Sequence, residues 1–268
     1  NYIEASIIKK IGSEKTMFGI HIMNIIIFLP IVLFLFYEGY ASIDIFSLVF
    51  IIVFSFFQLI GIHSMMKGVQ VGEVSLVSPI SASSTVVTVV LSVIFLSEKL
   101  SKLRLIGIIF AILGTILIST DLGKIKKNRN TKGVKEAIIA LFSFGIYLFI
   151  IGFVSKGLTI VSLIATTRII TSAYVCIFAW MKKGVIKISE YKQFKWKFIS
   201  LFLLYNFGFW GYQIGVSLDQ VSLVAPVSSL NPAITIFLAV IFLKEKLITN
   251  QKFGVLFVLS GLFMLGLG

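Results

Sequence analysis

Arg168, in the stretch LIATTRIITSA at 163–173, is the one Lys or Arg set well inside an apolar run, with seven or more residues on either side before water. A charge at that depth costs about 2.5–3.5 kcal/mol on insertion scales unless it faces a wet cavity or a partner. Two uses fit it: an anion or carboxylate site, or a tether that packs helices or holds a loop. Glu4, just over one turn before Lys9 and Lys10, is the one acid not clearly in a loop. Inside the membrane it would serve proton coupling; at the interface it would only be solvated. His21 and Asn24 share a run, where they either line a cavity or hydrogen-bond between helices. The two histidines, His21 and His63, are too few and too far apart for a metal site, and Cys176 has no cysteine to pair with. No GxxxxGK[ST] loop is present. The expectation is therefore no metal, no cofactor and no catalytic group.

Hydroxyls and prolines form a second signal. SLVSPISASS at 75–84 and SLVAPVSSLNP at 222–232 open otherwise plain membrane runs. Proline removes a backbone donor and frees a carbonyl, which is tolerable at membrane depth only where protein or water answers it. Interrupted helices at corresponding places in two halves are the best sequence pointer to a transporter's binding region. Pro79, Pro226 and Pro232 are read as interruptions, and Ser75, Ser78, Ser81, Ser84, Ser222, Ser228, Ser229 and Asn231 as cavity groups; the competing use of small residues is close helix packing. In YNFGFWGYQIG at 205–215, Tyr205, Trp210, Tyr212 and Gln213 suit either an amphipathic solute or an interfacial aromatic belt.

The elements that must carry these residues follow from composition. Of 268 residues 58% are hydrophobic, 13% are charged and 26 are Phe, with a mean hydropathy of +1.05; a soluble domain has roughly 25% charged residues. Windows of about 20 residues predict a fragment at 1–8 and spans at 17–37, 45–66, 73–96, 103–120, 136–155, 159–181, 196–217, 220–243 and 252–268. The fold class expected is an all-α polytopic membrane protein in the cell (plasma or inner) membrane. The net charge of +13 sits in loops such as LGKIKKNRNTKG at 122–133, which belong against an anionic membrane surface, so nucleic-acid binding is set aside.

A shift of 147 residues lays 74–100 over 221–247 with 15 of 27 positions identical, and pairs Gly61 with Gly208, Gly107 with Gly254, Gly114 with Gly261 and His21 with Arg168. The chain is thus a tandem repeat: 1–120, a basic linker at 121–135, and 136–268. The shift places the start of the first unit about 12 residues before Asn1, giving an expected unit of five spans with most of the first absent. Five is odd, so two copies lie in opposite orientations: an inverted repeat of ten helices, the mark of a transporter.

These residues resemble the drug/metabolite transporter superfamily, and within it the EamA-like family. The resemblance rests on FLSEKL at 95–100 and FLKEKL at 242–247, on Pro232 thirteen residues before Glu245, on the glycine pairs of IGIIFAILGTILI and FGVLFVLSGLFML, and on Arg168 in the second span of a half. The first half carries Thr85 and His21 where that Pro and that Arg would stand. The resemblance implies a central cavity lined by the first four helices of each half, and transport of amino-acid-like or amphipathic metabolites, commonly outward. Proton or solute counter-transport is an expected partner process, though the motifs do not fix the energy coupling. Competing readings are an integral membrane enzyme, a lipid-head-group carrier and a non-transporting scaffold. Nothing in the pattern fixes an oligomeric state. Nineteen of the 24 Lys and Arg lie on the face holding 121–135 and 182–195; the bias of such residues to the cytoplasm places that face inside and the C-terminus outside. The resemblance implies cytoplasmic termini instead.

Overall fold

The computed structural model describes residues 2–39, 43–72, 74–119, 132–228, 230 and 248–267; Ser229, Asn231, Pro232, Glu245 and most of the basic linker lie outside them. The described residues form α1 Tyr2–Ile11, α2 Ser13–Tyr37, α3 Ile45–Val71, α4 Val74–Ala82, α5 Ser84–Phe95, α6 Lys102–Ser119, α7 Val134–Ser155, α8 Ile160–Met181, α9 Ile188–Leu218, α10 Val221–Ser228 and α11 Thr249–Leu267. The helices α2, α3, α7 and α8 are each long and apolar enough to cross a membrane. This is an all-α, polytopic membrane protein.

The interior mixes apolar clusters, among them Ile7, Met17, Leu59 and Phe198, with polar side chains such as Ser55, Thr88, Ser92, Thr167 and Ser172. Ile26, Leu33, Phe34, Phe56 and Phe263 meanwhile point outward. Lipid tails are as apolar as Leu, so apolar side chains are at home on either side, and small hydroxylated residues enter the interior because they let helices approach and bond. Thr88 Oγ1 accordingly donates to the Gly145 carbonyl (3.1 Å), and Ser155 Oγ to that of Val216 (3.1 Å).

Several spans differ from expectation at their ends. The run 73–96 is two helices meeting at Ser83, where bonds tighten to i→i−3: Ser83 N to Ile80 O (3.2 Å) and Val86 N to Ser83 O (3.0 Å). Pro79 lies one turn earlier and has no N–H to give to the ladder. The fragment at 1–8 continues to Ile11, and α9 begins at Ile188 instead of 196, its first turns amphipathic and rich in Lys. Asp44 and Thr159 cap α3 and α8, accepting from Ser47 N (2.8 Å) and Ser162 N (3.2 Å).

Corresponding helices run antiparallel. A Cβ on Gly107 of α6 would lie 2.9 Å from the Gly261 carbonyl of α11, and one on Gly114 would lie 2.7 Å from that of Gly254. As numbers rise along one helix they fall along the other. The same holds for α2 and α8, where Glu14 packs on Gly184, just past the end of α8, and His21 bonds Ser172. The repeat is inverted in space, and α7 lies against α3 and α5: Phe144 fills the face of Gly61, and Gly145 admits Val87.

Candidate functional site

Between the two repeats lies a cavity of about 310 Å³. Its walls come from α2, α3, α4 and α5 of the first repeat and from α7, α8, α9 and α10 of the second. Residues 147 apart face it together: His21 with Arg168, Gln58 with Tyr205, Ile62 with Phe209, Met65 with Tyr212, and Ser81 with Ser228. The inverted repeat therefore builds the cavity twice over, once from each half.

Arg168, 5% exposed, is positioned by α8 with its guanidinium 4.2 Å from the centre of the Phe209 ring. Its Nη2 donates to the Tyr205 carbonyl at 3.4 Å, and its Nε has no partner among the described residues. Tyr205 turns its hydroxyl the other way and donates to Glu4 Oε1 (2.7 Å). Glu4 is buried but does not line the cavity; it reaches it through Tyr205. His21 Nδ1 meets Ser172 Oγ at 3.1 Å, and Asn24 Oδ1 accepts from Asn206 Nδ2 (2.9 Å). Gln58 Oε1 and Ser81 Oγ are buried and without partners among the described residues.

Of the residues singled out in the sequence, Arg168, His21, Asn24, Ser78, Ser81, Ser84, Ser228, Tyr205 and Tyr212 line this cavity. Trp210 and Gln213 do not. Successive helical residues are turned by 100°, so α9 presents Tyr205, Phe209 and Tyr212 inward. Trp210 instead packs edge-on against Phe28 and Phe207. Gln213, fully buried, donates to Thr167 Oγ1 (2.7 Å). Ser222 is buried away from the cavity, Pro226 sits inside α10 and Pro79 inside α4. Lining residues not read from the sequence as cavity groups include Gln58, Thr85, Phe144, Leu148 and Phe209. The repeat could have found two of them, since Gln58 is the counterpart of Tyr205 and Thr85 that of Pro232.

The sequence profile of the EamA-like transporter family matches residues 5–120 and again residues 131–267. The chain belongs to the EamA-like transporter family. It is 33% identical over 112 residues to the uncharacterised protein MJ1333.1 of Methanocaldococcus jannaschii, a stretch covering 41% of this chain and 82% of that relative. A solved structure, described only as the crystal structure of a protein, superimposes with a TM-score of 0.69 at 12% identity, over 99% of this chain and 92% of its own, a likeness of fold. Members of the EamA-like family are membrane transporters, and a small-molecule substrate and a lipid surround follow from membership.

Within this EamA-like chain the FLSEKL motif does a structural task. Ser97 takes a left-handed conformation (φ 52°) just after α5. The next residue, Glu98, accepts from Val221 N (2.8 Å) and Ser222 N (3.0 Å) with its two carboxylate oxygens. A first-repeat acid thus caps a second-repeat helix, α10, whose far end supplies Ser228 to the cavity. Val221 is fixed from the other side, because a Cβ at Gly152 of α7 would come within 2.3 Å of it.

Proposed function

We propose that this chain is a secondary carrier that moves a small amphipathic metabolite across the cell membrane by alternating access, in the outward direction that the family resemblance implies. One observation carries the reading: the cavity is lined by repeat-related pairs, from His21 and Arg168 to Ser81 and Ser228. A pseudo-two-fold pair of walls can exchange conformations, so that the face closed by one half is the face opened by the other. The wall helices are interrupted at Ser83 and by Pro226, short segments that can tilt without unwinding a whole span.

Energy enters through Glu4. Its carboxylate and the cavity share Tyr205, whose hydroxyl donates to Glu4 and whose carbonyl accepts from Arg168. A proton taken up at Glu4 changes that hydroxyl's bond and, with it, the ring at the cavity wall. Glu4→Gln is expected to leave solute exchange intact and to remove any response of net flux to a pH gradient.

The test of the function is a metabolite screen on proteoliposomes of the full-length protein, with Arg168→Leu alongside. A solute moved by the parent chain and not by the variant supports the carrier. A chain that moves nothing across a broad screen is a scaffold or something other than a carrier.

A further inference from the structure

We infer that the solute is a monoanion, a small amphipathic carboxylate, and that amines and net-neutral zwitterions are excluded; this rests on the carrier reading above. The inference begins with what Arg168 lacks. A guanidinium offers five N–H donors in a fixed fork, and here one contact to the Tyr205 carbonyl, at a long 3.4 Å, is its single hydrogen bond among the described residues. Its Nε is buried and unanswered. None of the described lining residues is Asp or Glu, and the salt bridge among the described residues is elsewhere. Glu4 is engaged by Tyr205, Glu98 by the Val221 and Ser222 N–H groups, and neither belongs to the lining.

A buried cation without its counter-ion is strongly unfavourable. Phe209 relieves part of this by placing its ring face 4.2 Å from the guanidinium carbon, but it supplies no acceptor for the free N–H groups. A carboxylate supplies both, in the two-bond geometry to which the fork is matched. One Arg and no Lys in the lining suits a single negative charge.

The rest of the cavity sets the remainder of the solute. Among the described residues Gln58 Oε1 is an unanswered acceptor and Ser81 Oγ an unanswered hydroxyl, able to donate or accept. They suit a hydroxyl or amide N–H and return no charge to an ammonium, which Arg168 would also repel. Phe144, Leu148, Leu204 and Phe209 give the apolar wall. At about 310 Å³ the space is at the small end for ligand pockets, which run about 300–1,000 Å³, and so fits a body of one ring or a short chain.

The experiment is calorimetric titration of the purified full-length chain in detergent with two matched sets: phenylacetate, phenylacetamide, phenethylamine and phenylalanine, and the same four head groups on a butyl body. The carboxylate is expected to bind at least tenfold more tightly than its amide, amine and amino-acid partners in at least one set. Arg168→Gln is expected to erase that preference, and Arg168→Lys to keep part of it. The comparison within the parent chain stands even if a variant fails to fold. An amine or zwitterion that binds as tightly as its carboxylate overturns the inference, as does a carboxylate that binds in neither set. If the transport screen finds a cation or zwitterion carried while carboxylates are not, the carrier stands and this inference falls. If no solute of any charge is carried, the carrier reading itself fails.

Discussion

At the scale of the residue, the account turns on Arg168 and the ring beneath it. A cation over a desolvated aromatic face gains about 1–2 kcal/mol. Phe209→Leu keeps most of the apolar bulk and removes the face; because the contact already stabilises the chain before a solute enters, the ligand-free variant is expected to lose about 1–2 kcal/mol of stability, read as a lower thermal midpoint in detergent. An unchanged midpoint would mean that the ring only fills space. Arg168 was legible in the sequence because a cation deep in an apolar run needs a reason. Gln58 was legible only through the repeat, as the counterpart of Tyr205. Trp210 and Gln213 lie off this cavity because an aromatic cluster in sequence is spread around the helix in space, and what a residue touches depends on its angle more than on its neighbours.

At the scale of the element, the contacts that matter cross between repeats. Glu98 holds the first two free N–H groups of α10, and loss of a helix cap costs about 0.5–2 kcal/mol. Glu98→Ala is expected to lower the thermal midpoint in detergent accordingly, with Glu98→Gln in between; equal stability of all three would deny the cap. On the opposite face Lys15 of α2 bonds Glu190 in the first turn of α9. That bond, with the Lys187 backbone N–H, holds the Glu190 carboxyl below its usual range. A carboxylate lowered by folding stabilises above its ordinary pKa, about 4.3, and the gain is lost as pH falls through the lowered value. The tie between α2 and α9 should thus be indifferent to pH from about 8 down to about 5 and loosen below about 4. Hydrogen exchange at the first turn of α9 measures it, and Lys15→Met should lack the acid transition. The sequence could not show either tie: FLSEKL reads as a span end, and its partner lies 123 residues away.

At the scale of the whole molecule, the repeat is what made the fold legible. An odd number of spans in each unit requires inversion, and the antiparallel approach of Gly107 to Gly261 and of Gly114 to Gly254 realises it. The break at Ser83 was signalled by Pro79 and the serines around it, but its place was not, because it depends on which carbonyls the neighbouring helices can serve. For orientation, the charge count predicts that a reporter active only in the cytoplasm is silent when fused after Gly268; activity there would contradict that topology. Alternating access itself is tested most directly by a cysteine placed at Ser81 in a Cys176→Ala background and treated with a membrane-impermeant maleimide from either face of sealed vesicles. The account predicts labelling from both faces, with slower labelling from each when phenylacetate fills the cavity. Labelling from one face alone, or from neither, would contradict it.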